Sequence, residues 1–151
     1  MGNKKFRYTP TQQSGISFQS STIRFGQIPD GTSNTYCVGE RYVNPDNYKN
    51  GNDASDDQYI TMGHDQDIVR YSFFAPAFSA TASNLSALYA EAAPRQDTPG
   101  ISLAFNFGAP HAAAFNMVFC DGSVHAIPYN IDGETHRRLG TRNDNLPVEL
   151  P

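Results

Sequence analysis

Histidine and aspartate residues are the first candidates for chemistry, since an imidazole beside a carboxylate can transfer a proton. The chain has four histidines, at positions 64, 111, 125 and 136. His111 and Asp121 are separated by nine residues, most of them in an apolar, strand-like run. An extended strand rises about 3.3 Å per residue, so these two side chains should lie on the order of 20–30 Å apart. The spacing argues against a shared proton and favours structural roles, with Asp121 and Gly122 forming a turn.

Charge and motif content exclude several functional classes. The 11 Lys and Arg residues are outnumbered by 15 Asp and Glu residues, and a net charge of −4 does not favour nucleic acid as a partner. No apolar run approaches the roughly 18 residues of a membrane-spanning helix, so we expect no membrane contact by this chain itself. The motifs HExxH, GxSxG, Walker A, GxGxxG and paired CxxC are absent. We therefore expect a protein that is not an enzyme, with no catalytic residue.

An aspartate-rich segment, residues 44–67, is a candidate for calcium binding. It contains six aspartates against the single Lys49. Residues 46–51 match the first, fifth and sixth positions of an EF-hand loop, and Asp57 falls at the twelfth. Tyr48 occupies a ligand position, however, and no flanking helices are predicted. We expect a solvated acidic loop and no cofactor, with a calcium site of another kind as the alternative.

Two cysteines, Cys37 and Cys120, could support redox chemistry. They are too few for a disulfide scaffold, and each lies in an apolar, strand-like run. The favoured interpretation is that both are small buried core residues. The alternatives are a single bridge between strands and, least favoured, a catalytic thiol, since no neighbouring group is seen that would lower its pKa.

The sequence pattern predicts that an α+β fold positions these residues. Short alternating runs, separated by turn-forming residues, predict a loop-rich domain with a mainly antiparallel sheet. The predicted strands are residues 22–28, 35–42, 68–74, 103–107, 115–120 and 123–127. Short helices are predicted at 80–93 and, near the C-terminus, at 131–140, where Asp132 is the N-cap and Gly140 the C-terminal stop.

The clearest predicted element is a hairpin at Asp121-Gly122, which stands between two apolar runs. Asp-Gly favours a two-residue type I′ turn, because both central residues of that turn need positive φ. Such a turn pairs Phe119 with Val124 on one face and Val118 with His125 on the other. Both faces are then partly apolar, so we expect each of them to be at least partly covered.

The length of 151 residues predicts one domain. Residues 1–15 are expected to be a flexible lead-in, and the basic start is followed by no apolar run, so it does not resemble a signal peptide. Residues 16–142 are expected to form the globular domain, with the acidic segment 44–67 as an insertion. Residues 143–151 are expected to be a polar tail.

Two ordered signatures carry a family resemblance. The first is His111, nine intervening residues and then Asp121-Gly122-Ser123, which matches an H-x9-DG motif. The second is upstream and consists of a DGTSN run followed by a Gly-Glu pair. Its residues are Asp30, Gly31, Thr32, Ser33, Asn34, Gly39 and Glu40. Together they resemble a large family of bacterial prepilin-like proteins, and the resemblance covers about residues 22–142.

The resemblance implies a role and a location. Family members typically begin with a prepilin leader and a long apolar helix, and they end in a β-rich globular domain displayed outside the cytoplasmic membrane. This chain resembles that globular domain without the helix. The implied role is a structural, pilin- or pseudopilin-like subunit at the cell surface or in the periplasm, with other pilin-like subunits or itself as partners. The alternative is an extracellular module that binds glycan or protein through Tyr- and Asp-rich loops.

Overall fold

The computed structural model describes residues 13–18, 20–59, 61, 65, 67–73 and 85–150. The predicted α+β class is confirmed: the described residues form a three-stranded antiparallel sheet, a two-stranded parallel sheet and two short α-helices. The strands are β1 (Tyr36–Gly39), β2 (Arg95–Gln96), β3 (Gly108–Ala109), β4 (Ala114–Phe119) and β5 (Val124–Pro128). The helices are α1 (Leu85–Ala92) and α2 (Gly133–Leu139). The larger sheet has the order β1-β4-β5, and β2 pairs with β3.

Three predicted strands are wrong. Residues 22–28 contain a single 3-10 turn at Phe25–Gln27. The described part of 68–74 is not a strand, and in 103–107 the sheet pairing is limited to a single antiparallel bridge of Phe107 with Arg41. The two segments meet where Tyr71 N–H donates to Phe105 O at 2.9 Å. Alternation over five to seven residues favours an extended chain, but a strand also needs a partner along its length.

Both predicted helices are found, with shorter bounds. α1 lies inside the predicted 80–93, of which residues 80–84 fall outside the described residues. Asp132 caps α2, because its carboxylate accepts the Thr135 N–H at 2.9 Å. Gly140 ends α2 at a right-handed φ of −82°, and an added Cβ there would collide with the Ser72 side chain. This glycine therefore serves close packing of the chain.

The hairpin is confirmed, but its predicted turn and register are wrong. Phe119 N–H donates to Ser123 O and Gly122 N–H donates to Phe119 O, both at 2.9 Å. Gly122 has a φ of +87°, while Asp121 is not left-handed. This geometry fits a right-handed turn closed by a left-handed glycine, one residue longer than type I′. Val118 consequently pairs with Val124, and the side chains of β5 exchange faces relative to the prediction.

One face of the larger sheet, here called the inner face, forms the core. Phe115, Met117 and Phe119 of β4 are at most 1% exposed. They pack with residues of β1, β5 and α2, namely Tyr36, Ile127 and Leu139. Helix α1 supports α2 from the other side, where Tyr89 Oη donates to Glu134 Oε2 at 2.6 Å.

The opposite face, here called the outer face, is apolar and partly exposed. A bulge in β1 between Tyr36 and Val38 turns both Cys37 and Val38 away from the core. Val38, Val118 and Val124 lie in register across the three strands. Val38 and Val124 are 63% and 64% exposed, respectively. The prediction of two buried cysteines is therefore wrong, since Cys37 is exposed at the bulge and Cys120 is only half-buried.

Candidate functional site

Glu40 joins the two sequence signatures at one end of β4. Its Oε1 lies 3.2 Å from His111 Nε2, and its Oε2 accepts the Asn116 N–H at 2.6 Å. The Glu40 main chain continues the sheet, with its N–H donating to Asn116 O at 3.1 Å. Tyr129 Oη donates to His111 O at 2.8 Å and holds the other side of this loop. The glutamate of the Gly-Glu pair thus holds the histidine of the H-x9-DG motif.

Gly39 is required by close packing beside that glutamate. A Cβ at this position would lie 2.5 Å from Met117 Cε and 2.9 Å from the Phe107 ring. Any side chain there would force Met117 or Phe107 to shift from its packed position. The glycine therefore allows β1 to approach β4 closely enough for Glu40 to reach the Asn116 amide.

The DGTSN run forms a compact loop that binds the C-terminal tail. Asp30 accepts N–H groups from Asp144 and Asn145, both at 2.8 Å. Gly31 adopts a φ of +96°, which favours glycine. The following three residues form a 3-10 turn, in which Ser33 is exposed (Thr32–Asn34). The Asn34 side chain closes the loop by donating to Asp30 O at 3.0 Å.

The Asp121-Gly122-Ser123 turn carries its own network. Asp121 Oδ1 accepts the Ser123 N–H at 2.9 Å and the Ser123 hydroxyl at 2.6 Å. These hydrogen bonds lower the pKa of the exposed Asp121 carboxyl. The Ser123 hydroxyl also lies 3.0 Å from His125 Nε2. The aspartate therefore fixes the turn that sets the hairpin register.

The second end of β4 also brings the two signatures together. Asp121 N–H donates to Thr32 O at 3.1 Å, and Cys120 N–H donates to Thr35 O at 2.9 Å. His111 and Asp121 lie beyond opposite ends of β4 and have separate partners. The signatures consequently form one structural unit around β4, without bringing that histidine and that aspartate into one cleft.

Comparison with known protein families assigns the chain that contains this unit to a family. The model of a family described as a protein of unknown function, DUF1559, matches residues 2–134, which is most of the chain. The chain belongs to the DUF1559 family. The match includes both signatures and reaches the first turn of α2. Neither a curated protein nor a solved structure matches this chain.

The acidic segment of this DUF1559 domain is exposed along most of its described length, as predicted, but some of its aspartates are buried or paired. Asp53 is 1% exposed and accepts hydrogen bonds from Asn44 N–H and from the Ser55 N–H and hydroxyl. Burial alone would raise the Asp53 pKa, but these bonds outweigh it and the pKa is lowered. Asp56 pairs with Arg41, whose guanidinium also donates to the carbonyl of Ser55 at 2.7 Å. These aspartates fold the segment onto the chain that follows β1, at Arg41 and Asn44.

The part of the chain that the structure describes contains no assembled set of metal ligands. Across those residues, no three His, Cys, Asp or Glu side chains are arranged to hold an ion. Asp46 accepts the Gly100 N–H at 2.8 Å, and Asp97 accepts the Val43 N–H at 3.1 Å. These two carboxylates therefore bind protein groups. None of the described helices is long and apolar enough to span a bilayer.

His136, which the sequence analysis did not single out, lies at the centre of the core. It is 1% exposed on α2, and its Nδ1 lies 3.2 Å from the Tyr36 hydroxyl. The Phe107 and Phe115 rings meet it edge-on, at interplanar angles of 86° and 88°. Burial lowers the His136 pKa to about 4, so the imidazole is neutral. The one available signal was its spacing of three residues from Leu139 on the buried side of α2.

Proposed function

We propose that this DUF1559 domain is a non-enzymatic structural subunit, pilin- or pseudopilin-like, of a bacterial surface or secretion-associated assembly. The main support for this proposal is the outer face, where the row of Val38, Val118 and Val124 leaves apolar surface exposed. Contiguous apolar surface of this kind is typical of protein contacts. The partners are other pilin-like subunits or further copies of this domain, and the site of assembly is outside the cytoplasm.

The use of the signature residues supports a structural role. Asp30 binds the tail, Glu40 joins the His111 loop to β4, and Asp121 fixes a turn. An active site usually brings an acid, a base or a nucleophile together in an open cleft, often with pKa values moved towards neutrality. Here each of these carboxylates serves a main-chain group. Their hydrogen bonds within the fold explain these residues without a catalytic role.

The geometry of the outer face supports assembly through the sheet. The hairpin register and the β1 bulge direct three valines to one side, and Ala126 lies exposed beside them on β5. In the prepilin-like proteins that the chain resembles, an apolar helix packs on one face of the sheet. We assign the outer face to that kind of contact, with a neighbouring subunit supplying the apolar element.

Self-association of the purified domain tests this function. We expect sedimentation velocity to show a weight-average mass that rises with concentration. Val124→Lys should abolish the rise without lowering the melting temperature, because this residue is 64% exposed. Tyr59→Lys is the matched control, since Tyr59 is 81% exposed and belongs to the acidic segment, not to a strand of the sheet.

Crosslinking in the native bacterium tests a partner other than the domain itself. A photoreactive amino acid at position 124 should yield adducts with an extracytoplasmic pilin-like protein or a second copy, whereas the same group at position 59 should not. A monomeric domain without adducts at position 124 would contradict the subunit role. A monomer that is instead stabilised by a glycan would favour a binding module.

A further inference from the structure

The outer face also brings two thiols together. Cys37 lies in the β1 bulge and Cys120 directly follows β4, and both are free and directed away from the core. They line the same apolar groove, of about 390 Å³, whose other walls are Ile16, Ile23, Arg24, Phe25 and Ile28.

The main chain holds Cys120 against β1. Its N–H donates to Thr35 O at 2.9 Å, and its thiol lies 3.5 Å from Tyr36 O. Phe119 pairs with Tyr36, and both side chains are buried in the core, so the adjacent Cys120 and Cys37 both lie on the outer side. Eighty-two residues separate the cysteines along the chain. Their meeting is therefore a consequence of the fold.

We propose that Cys37 and Cys120 form a reversible disulfide that locks β1 onto β4. The oxidant is a disulfide compound, such as oxidised glutathione or an oxidised dithiol protein. The Cys37 thiolate attacks one sulfur of the oxidant, which forms a mixed disulfide and releases the first thiol. The Cys120 thiolate then attacks the Cys37 sulfur and releases the second. Two protein thiols are oxidised to one disulfide, and the oxidant is reduced to two thiols. The two protons lost by the cysteines protonate the two thiolates that leave the oxidant.

Exposure determines the order of these two steps. Cys37 is exposed and meets the oxidant first, whereas Cys120 is half-buried. Burial, together with the neighbouring Cys37, raises the Cys120 pKa to about 11. The second step should therefore be slow near neutral pH and accelerate as pH rises, because only the thiolate attacks.

The bridge should stabilise the domain strongly, since it closes a long loop in the unfolded chain. We expect the oxidised protein to melt roughly 5–15 °C above the reduced protein. It should also hold the β1 bulge, so that the groove lined by both cysteines keeps its shape.

Glutathione equilibration of the whole chain tests the proposal. Mass spectrometry of protein held in a mixture of reduced and oxidised glutathione should show an intramolecular bridge, with the Cys37 and Cys120 peptides joined. Cys120→Ser should accumulate the glutathione adduct at Cys37, and Cys37→Ser should react about tenfold more slowly, because its remaining thiol is half-buried. Two free thiols, stable glutathione adducts of the wild type or disulfide-linked dimers alone would overturn the proposal.

The same equilibrium measured in the unfolded chain shows whether the fold positions the two thiols or whether the disulfide forms by random encounter of the two cysteines. The bridging equilibrium constant in the native protein should exceed that in concentrated urea by about a hundredfold or more, since only the folded chain holds the thiols together. Equal constants in the two conditions would show that the sheet does not position them. This measurement does not depend on assembly, so its result and that of the self-association experiment are independent.

Discussion

The two faces of β4 differ in how completely the rest of the chain uses them. Alternate residues Phe115, Met117 and Phe119 are at most 1% exposed, whereas Asn116 and Val118 between them remain at least partly exposed. The inner face has a helix and an aromatic cluster against it, and every large side chain there has neighbours. The outer face has similar apolar character but less cover. Folding therefore explains the inner face, whereas the exposure of the outer face is what the proposed association with a partner would explain.

The largest expected difference between the faces is in stability. Phe119→Ala should lower the free energy of unfolding by about 3–5 kcal/mol, because it leaves a cavity in a close-packed core. Val124→Ala on the neighbouring strand should change it by less than about 0.5 kcal/mol, since Val124 is 64% exposed. Urea denaturation of both variants measures the difference. Equal costs would mean that the outer face is also part of the core.

A second difference is the pH dependence that His136 gives the inner face. In the unfolded chain its imidazole binds a proton near pH 6.5, whereas burial lowers the folded pKa to about 4. The unfolded state holds more protons between these values, so stability is complete above pH 6.5 and is lost as pH falls through the window. The loss should be about 2–3 kcal/mol between pH 6.5 and 4.5. Chemical denaturation at a series of pH values measures it.

His136→Gln is the matched control, since a neutral amide can still meet the Tyr36 hydroxyl. The free energy of unfolding is plotted against pH for the wild type and the variant. The difference between the two slopes gives the contribution of the imidazole, separate from that of the carboxyl groups. Glu134, for example, has its pKa lowered through hydrogen bonds from Arg137 and Tyr89, and its contribution is lost below about pH 4.5. An unchanged slope in His136→Gln would show that the inner face admits water to this histidine.

The sequence was sufficient for the fold class, the hairpin and α2, because each has a strong local signal. Asp-Gly between apolar runs, an Asp N-cap and helical spacing all act over a few residues. The assignment of side chains to faces was not predictable in the same way. The turn is one residue longer than predicted, with Gly122 as its only left-handed residue, and this moved Val124 from the face of Phe119, where it was predicted, to the face of Val118.

The candidate site was predicted in part for the same reason. Turn roles for Asp121 and Gly122 follow from local residue preferences. The contacts of Glu40 with His111 and of Asp30 with the tail join residues 71 and 114 positions apart, which no spacing rule predicts. The burial of His136 likewise depends on Tyr36, Phe107 and Phe115, which come from three other segments.

The turn that assigns the faces should itself be a point of moderate sensitivity. Gly122→Ala should cost about 1–2 kcal/mol, because a residue with a Cβ is strained at a φ of +87°. Gly26→Ala is the control: a Cβ there meets no atom within 4 Å and its φ is not positive, so little change or a slight gain is expected. Thermal unfolding of both variants makes the comparison. If the two behave alike, the turn does not set the register.

The smallest expected effect is at the rim, where Glu40 and His111 meet at the end of the sheet. The His111 side chain is 57% exposed and that of Glu40 is 36% exposed, so water and salt screen their attraction. A double-mutant cycle with His111→Ala and Glu40→Gln should give a coupling of about 0.5 kcal/mol or less, and added salt should reduce it further. Glu40→Gln retains an oxygen for the Asn116 N–H, so the cycle reports the imidazole contact alone. A coupling above about 2 kcal/mol that resists salt would place this pair with the interior, and the histidine of the H-x9-DG motif would then stabilise the fold as strongly as the aromatic core.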